Sequence, residues 1–198
     1  MQHPIDPNDM APAMALALAA NFGGVEDWHA QFVAMGKGPT GVTLFFRPVD
    51  ATLVNLPAAK LPDGAVPLHD GSIDWPALYE RYQRAVTEAS EPFGVDSASM
   101  PVGAVIDVRR AAVFEQDGNL IAGATWHDPA AVGQWGRSLP RDKDVVVYCV
   151  YGHEVGRATA MRLRAQGVKA WFLRGGIDGW KAAGMPLADK PPACRSSD

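Results

Sequence analysis

One cysteine lies where a sheet, a loop and a helix are predicted to meet. Cys149 is at the carboxyl end of the valine run in a predicted strand, residues 144–150. In open parallel sheets, ligands collect at the carboxyl ends of the strands. A loop that enters a helix points backbone N–H groups inward and adds the positive end of the helix dipole. Both effects favour a thiolate, so we predict a nucleophilic Cys149 with a pKa below the ordinary value of about 8.5.

The residues that follow Cys149 form the candidate loop around its sulfur. Gly152 and Gly156 allow the backbone to wrap closely around that atom. The imidazole of His153 has an ordinary pKa of about 6.5, which suits a proton donor or a group that tunes the thiol. The alternative for His153 is a solvent-facing loop residue. The candidate loop residues are Val150, Tyr151, Gly152, His153, Glu154, Val155 and Gly156.

The second half of the chain alternates apolar runs with amphipathic segments. We predict strands over 102–110, 144–150 and 168–173, and a helix over 156–166 that Gly167 ends. A continuous β-branched run is typical of a strand buried on both faces of a parallel sheet. The strand–helix–strand order predicts a right-handed parallel crossover. The predicted fold class is therefore α/β, with a central parallel sheet flanked by helices.

The first half has a different pattern. Apolar residues at helical spacing lie on both sides of Gly23–Gly24, and the runs 42–48 and 51–55 have the composition of a β-hairpin. Asp74 is a suitable N-cap for a further helix, with Pro76 in its first turn. This half is predicted to be a smaller N-terminal α+β unit.

The Pro, Gly and Ser content between the halves predicts a linker. Cys194, in the last residues of the chain, could resolve a disulfide or persulfide of Cys149, or it could be incidental. The predicted organisation is an α+β unit at 1–93, a linker at 94–101, an α/β unit at 102–190 and a flexible tail at 191–198.

Composition excludes several classes of protein. The 198 residues are 47% hydrophobic, which is enough for a core. A net charge of −4 disfavours nonspecific binding to nucleic acid or to an anionic membrane. No stretch reaches the roughly 20 apolar residues that span a bilayer. The apolar segment Met10–Ala20 lacks the basic residues of a secretory signal, so we expect a helix there and a cytoplasmic protein. We also expect no cofactor.

Several segments of the second half occur in an order that resembles the rhodanese-like sulfurtransferase domain over roughly residues 98–190. These segments are 105–109 (Val-Ile-Asp-Val-Arg), 121–124 (Ile-Ala-Gly-Ala), 148–152 (Tyr-Cys-Val-Tyr-Gly), 173–180 (Leu-Arg-Gly-Gly-Ile-Asp-Gly-Trp) and 183–187 (Ala-Gly-Met-Pro-Leu).

The resemblance implies a persulfide relay on Cys149. A small anionic sulfur donor such as thiosulfate would supply sulfur, and cyanide or a cellular thiol would accept it. Asp107 and Arg109 match a strand-end motif whose usual role is structural support beside the active-site loop. A surface ion pair and direct catalysis remain open as alternatives for these two residues. Gly175–Gly176 and Trp180 match a late turn and helix start, and we expect them to determine the fold.

The loop also departs from the family. Counting from Cys149 to Gly167 suggests one extra residue, as in the related phosphatases and arsenate reductases that hold a larger oxyanion. Arg157 is the candidate clamp for such an anion. Glu154 is expected to point outward or to pair with Arg157 or Arg174. The alternatives to sulfur transfer are therefore an oxyanion enzyme and a noncatalytic module that senses sulfur or redox state.

The first half resembles the C-terminal domain of iron/manganese superoxide dismutases. The resemblance rests on residues 22–32, on the hairpin and on residues 73–82. The family's metal motifs cannot be mapped onto this chain, and the pair His69–Asp70 is expected to be a solvated loop. We therefore predict no metal site and no dismutase activity. This unit is a candidate scaffold or a surface for homo-oligomerisation.

Overall fold

The computed structural model describes residues 12–38, 41–57 and 73–190. The helices are α1 (Pro12–Phe22), α2 (Val25–Gly36), α3 (Trp75–Ser90), α4 (Ala111–Gln116), α5 (Val132–Trp135), α6 (Glu154–Ala165) and α7 (Gly176–Ala182). The strands are β1 (Val42–Arg47), β2 (Thr52–Pro57), β3 (Gly94–Val95), β4 (Gly103–Asp107), β5 (Asn119–Ile121), β6 (Thr125–Trp126), β7 (Asp144–Tyr148), β8 (Lys169–Leu173) and β9 (Leu187–Asp189).

A parallel sheet of five strands forms the centre of the second half. Its order is β3-β8-β7-β4-β6, and every neighbouring pair is parallel. In the middle strand β7, Val145 and Val147 point to one face, and Val146 and Tyr148 point to the other. All four side chains are buried, because helices cover both faces. The predicted α/β class and the doubly buried strand are confirmed.

Helix α6 connects β7 to β8 and packs against the first of these faces. Its Ala160 and Leu163 are buried beside the valines of β7. The helix ends as predicted at Gly167, which has a left-handed φ of 86°. The Gly167 amide donates to the Arg164 carbonyl, and the Val168 amide donates to the Leu163 carbonyl, at 2.9 and 3.0 Å. These two bonds are the Schellman arrangement that satisfies the last carbonyls of a helix.

The N-terminal residues form the predicted helices and hairpin. Helices α1 and α2 meet at Gly23, whose φ of 89° suits glycine. Strands β1 and β2 pair antiparallel from Val42↔Pro57 to Arg47↔Thr52. Helix α3 begins after Asp74, whose carboxylate accepts a 3.0 Å hydrogen bond from the Ala77 amide. The N-cap expected from the sequence is therefore present.

The segment expected to be a linker belongs partly to the central sheet. Gly94 and Val95 form strand β3, which pairs in parallel with β8. The Arg174 guanidinium donates to the Gly94 carbonyl at 2.8 Å. A Cβ on Gly94 would lie 2.7 Å from the ends of the Arg174 and Phe172 side chains, so a larger residue would require these side chains to shift. The glycine that suggested a linker serves an edge strand instead.

The buried residues of the N-terminal unit form one core, which we call the N-terminal core. It includes Met161, which comes from α6 of the second half. Its other members are Met14, Ala17, Leu18, Trp28, Phe32, Val42, Leu44, Phe46, Ala51, Leu53, Leu78, Tyr82 and Val86. The N-terminal unit therefore packs on the side of α6 that faces away from the sheet.

Some expectations concern residues outside the described ranges. Most of the apolar segment Met10–Ala20 lies in α1, but its first two residues are outside. His69–Asp70 and the tail 191–198 with Cys194 are also outside. Among the helices that the structure describes, none is long and apolar enough to cross a membrane.

Replacing Met161 by alanine should test whether α6 and the N-terminal unit share one core. Met161 is 5% exposed, so the substitution should lower the free energy of unfolding by about 2–5 kcal/mol through a cavity. The matched control is Met35→Ala in α2, where the side chain is 39% exposed and the loss should stay within about 0.5 kcal/mol. Urea denaturation measures both. Equal losses in the two variants would contradict the shared core.

Candidate functional site

The site lies at the carboxyl ends of two neighbouring strands of the sheet. Strands β4 and β7 are parallel, and their last residues, Asp107 and Tyr148, are partners in the register. Cys149 follows β7 directly, and Arg109 and Arg110 follow β4. The sheet therefore brings the cysteine and two cationic residues to one edge, where ligands bind in open α/β folds.

The loop after Cys149 is short and tightly packed. Helix α6 begins at Glu154, so only residues 150–153 separate it from the cysteine. The helix starts two residues earlier than the sequence suggested. Gly152 has a φ of 71°, and a Cβ there would lie 2.6 Å from the Leu173 carbonyl oxygen. A side chain at Gly152 would therefore displace the loop from the sheet edge.

The carbonyl groups of the loop are bonded to the start of helix α7. The amide of Ile177 donates to the Cys149 carbonyl, and the amide of Asp178 donates to the Val150 carbonyl, both at 3.0 Å. Gly176 has a φ of 57°, and a Cβ on it would lie 2.5 Å from the Cys149 oxygen. The expectation that the Gly175–Gly176 turn determines the fold here is consistent with this packing.

Backbone amides of the loop and of the start of α6 lie near the cysteine sulfur. Cys149 is 7% exposed, and the amides of Gly156, Gly152, His153 and Tyr151 favour the charged form of its sulfur. The thiol itself donates to the His153 carbonyl at 4.0 Å. Burial nevertheless raises the pKa of the Cys149 thiol above its ordinary value, and the amide hydrogen bonds only reduce that rise. The prediction of a lowered pKa is wrong for this state, because desolvation of the thiolate outweighs the amides.

Asp107 and Arg109 form a buried ion pair. The Arg109 guanidinium donates to both Asp107 oxygens at 2.6–3.0 Å, and it also contacts Asp117 at 2.7 Å. The Tyr148 hydroxyl donates to Asp107 at 3.0 Å. Arg109 is 1% exposed, so the alternative of a surface pair does not hold. The network joins the ends of β4 and β7 under the loop, which is the position of a support.

Arg157 is occupied by contacts outside the loop. Its Nε donates to the Gly152 carbonyl at 3.1 Å, and its Nη1 donates to Ser90 Oγ and to Glu91 at 3.1 Å. Its guanidinium also lies over the Phe172 ring, 4.3 Å from the centroid. The sequence suggested Arg157 as an anion clamp, but in the structure it joins the loop to the end of α3.

Glu154 has a partner that the sequence did not suggest. Its carboxylate accepts a 2.7 Å hydrogen bond from the Gln83 amide of helix α3. Arg157 and Arg174, the expected partners, both pair with Glu91 instead, and hydrogen bonds from these two arginines lower the pKa of that carboxyl. Glu154 therefore pairs with neither arginine, because both are bonded to Glu91, and it is half-buried against α3 rather than pointing freely outward.

A cleft of about 200 Å³ opens beside Cys149. His153 and Tyr151 are exposed, with ring centroids 5.9 Å apart. The cleft is lined by Ala13, Tyr79, Arg109, Arg110, Val113, Cys149, Val150, Tyr151, His153, Glu154 and Val155.

Four of these lining residues were not among the candidates from the sequence. Arg110 had a local signal, because it directly follows the strand-end motif and precedes a helix. Val113 lies one turn later on that helix. Tyr79 and Ala13 had no such signal, since they reach the cleft only through the packing of the N-terminal unit. Within the described ranges, no three His, Cys, Asp or Glu side chains come together as metal ligands.

Solved structures with similar folds include three of different origin. A full-length protein from Lactobacillus plantarum is 21% identical, with 56% of this chain and 99% of that chain covered and a TM-score of 0.46. A Rhodanese_3 like domain from Anabaena sp. is 28% identical over 44% of this chain and 99% of its own, with a TM-score of 0.39. A thiosulfate sulfurtransferase from Pseudomonas aeruginosa is 25% identical over 48% of this chain and 19% of its own, with a TM-score of 0.39.

Sequence comparison identifies one domain within the chain. No curated protein matches the chain. A family model described as the rhodanese-like domain matches residues 88–183, from the last turn of α3 to just after α7. The matched residues include all five strands of the central sheet, the Cys149 loop and the buried ion pair at the end of β4. Residues 88–183 therefore constitute a rhodanese-like domain.

Proposed function

We propose that the protein is a sulfurtransferase that carries sulfane sulfur as a persulfide on Cys149. The observation that carries this proposal is the position of the buried Cys149 sulfur at the carboxyl end of β7, beside four backbone amides that favour its charged form. Fixed N–H donors in a buried site stabilise negative charge without reorganisation. The outer sulfur of a persulfide is anionic, because a persulfide is a stronger acid than its parent thiol. The membership of residues 88–183 in the rhodanese-like family supports the same chemistry.

The transfer has two steps, and each conserves atoms and charge. The Cys149 thiolate attacks the sulfane sulfur of thiosulfate, the S–S bond of the donor breaks, and sulfite leaves with the bonding electrons. Cyanide or a thiolate then attacks the outer sulfur of the persulfide. Thiocyanate or a hydropersulfide leaves, and the Cys149 thiolate is restored. Covalent catalysis of this kind divides one difficult transfer into two easier ones.

The surrounding side chains take separate roles in this proposal. Asp107 and Arg109 hold the ends of β4 and β7 and so fix the base of the loop. His153, at the exposed rim of the cleft, transfers the thiol proton to solvent or donates a proton to the leaving sulfite. Glu154 is held against α3 by Gln83.

Arg110 is the residue we assign to the anionic part of the donor. It lines the cleft beside Cys149 and is exposed. Arg109 is neutralised by Asp107 and Asp117, whereas the side chain of Arg110 forms no ion pair with any residue of the described ranges. An arginine fork matches the oxygens of a sulfonate as it does those of a carboxylate or phosphate.

The placement of Arg157 favours sulfur transfer over oxyanion chemistry. A clamp for phosphate or arsenate must point a guanidinium at the anion beside the cysteine. Arg157 is instead bonded to Gly152, Ser90 and Glu91, and it does not line the cleft.

The proposal predicts that the purified protein forms thiocyanate from thiosulfate and cyanide. Cys149→Ser should abolish this activity, because serine cannot hold the transferred sulfur. Cys194→Ser is the matched control and should retain full activity. Absorbance of the iron–thiocyanate complex measures the product. Thiocyanate formation by the Cys149→Ser protein at the wild-type rate would overturn the proposal, and turnover of phosphate or arsenate esters alone would favour an oxyanion enzyme.

Replacing Arg110 by alanine should weaken donor binding. The KM for thiosulfate should rise about tenfold, equivalent to roughly 1.4 kcal/mol of lost interaction, with a smaller change in kcat. Arg110→Lys should restore part of the affinity, and Arg137→Ala, at an exposed position away from the cleft, should leave KM unchanged. Steady-state kinetics at varied thiosulfate separate the two constants. An unchanged KM in Arg110→Ala would remove Arg110 from the donor site.

The raised pKa of Cys149 predicts a specific pH dependence. Only the thiolate reacts with iodoacetamide, and burial keeps the group protonated at pH values where an ordinary thiol already ionises. The alkylation rate of Cys149, followed by peptide mass, should therefore keep rising from about pH 6 to beyond about pH 8.5. A rate that reaches its plateau in the neutral range would show that the amides outweigh burial.

A further inference from the structure

One wall of the Cys149 cleft comes from the N-terminal unit. Tyr79 of helix α3 and Ala13 of helix α1 line the same cleft as Cys149, His153 and Arg110. The rhodanese-like domain begins only at residue 88, so both side chains come from outside the matched residues. The access route to the cysteine is therefore shaped by two parts of the chain that are distant in sequence.

Helix α3 is anchored to the first turn of helix α6, directly after the active-site loop, at two points. Gln83 donates to Glu154, the first residue of helix α6, at 2.7 Å. At the C-terminal end of α3, Ser90 Oγ accepts a 3.1 Å hydrogen bond from the Arg157 guanidinium. Tyr79 precedes Gln83 by one turn, so the two side chains lie on the same face of α3. Movement of α3 and Tyr79 away from the cleft would therefore break contacts at the first turn of α6.

The Tyr79 side chain is a fixed and uncharged surface. It is half-buried against the N-terminal core. Burial, and then the charge of Glu154, raises the pKa of the Tyr79 phenol, so the hydroxyl remains protonated near neutral pH. The uncharged phenol supplies no positive charge to a thiolate, and its hydroxyl lies beside Gln83 and Glu154. We therefore assign the contribution of Tyr79 to the cleft to the volume of its ring.

The size of the cleft determines what can reach the sulfur. Its volume of about 200 Å³ is below the roughly 300–1,000 Å³ of sites that enclose drug-sized ligands. Thiosulfate, sulfite and cyanide are small beside this volume. A tripeptide thiol or a protein thiol is larger than this volume, so much of such a molecule would contact the Tyr79 ring on its way to the sulfur.

We propose that Tyr79 is a specificity-determining residue that limits Cys149 to small reaction partners. Under the proposed function, the favoured acceptors are cyanide and low-mass thiols such as 2-mercaptoethanol, and bulky thiols such as glutathione are disfavoured. The acceptor class rests on the proposed sulfur transfer. The size limit itself concerns access to the sulfur and holds for any reagent that must touch it.

The test compares reagents of different size on the full chain, with Cys194→Ser as the common background. The small reagent is iodoacetamide, and the bulky reagent is fluorescein maleimide. In Tyr79→Ala, the rate of Cys149 labelling by the bulky reagent should rise about tenfold, while the rate with iodoacetamide changes little. In Tyr79→Trp, the bulky reagent should react more slowly than with the parent protein. The ratio of the two rates removes effects on thiol ionisation that both reagents share.

Two control variants separate the ring from the stability of α3. Tyr79→Phe keeps the volume and should keep the parent ratio. Trp75→Ala removes another partly buried aromatic from the same helix, one that packs on Trp28 at 5.4 Å and does not line the cleft. This variant should also keep the parent ratio. A change in Trp75→Ala equal to that in Tyr79→Ala, or no change in both Tyr79→Ala and Tyr79→Trp, would overturn the proposal.

Turnover with the same variants links the size limit to sulfur transfer. Tyr79→Ala should raise kcat/KM for glutathione relative to cyanide, with thiosulfate as the donor. Labelling does not require sulfur transfer, so the two proposals can fail separately. Altered labelling ratios without any turnover would leave the Tyr79 wall in place and reject the sulfurtransferase. Turnover with unaltered labelling ratios would support the sulfurtransferase and reject the size limit at Tyr79.

Discussion

The structure depends on how the backbone of one loop divides its hydrogen bonds. The carbonyls of Cys149 and Val150 are bonded to amides at the start of α7, and the amides of residues 151–153 and Gly156 lie near the sulfur. Gly152 and Gly176 permit this division, because a Cβ at either position would collide with backbone atoms of the other segment. Burial at the same point raises the pKa of the thiol. We propose that this site holds an anion that extends beyond the sulfur of Cys149 rather than a resting thiolate.

The N-terminal unit is part of this site and not only attached to it. Its core includes Met161 of α6, the helix that begins at the loop, and Gln83 bonds to the first residue of that helix. Arg157 completes the connection by joining the loop carbonyl of Gly152 to the end of α3. A displacement of α3 would therefore change the environment of Cys149. The resemblance of this unit to the dismutase C-terminal domain remains a prediction, since the family match begins at residue 88.

The sequence was sufficient where local pattern determines structure. The β-branched run of β7, the N-cap at Asp74 and the helix stop at Gly167 were predicted because each depends on neighbouring residues. The partner of Glu154 could not be predicted, because Gln83 lies 71 residues away and meets it only through packing. The same is true of Tyr79 in the cleft. Strand β3 was missed because its glycine is typical of linkers as well as of close packing.

The central claim is that the Cys149 sulfur accepts a further sulfur atom and releases it. The most direct measurement is the intact mass of the reduced protein after incubation with thiosulfate, beside a Cys149→Ser control. The account predicts a gain of one sulfur atom on the wild-type protein alone, and removal of that gain by cyanide. An unchanged mass, with Cys149 still open to alkylation, would contradict the account and leave the loop as a binding site for another anion.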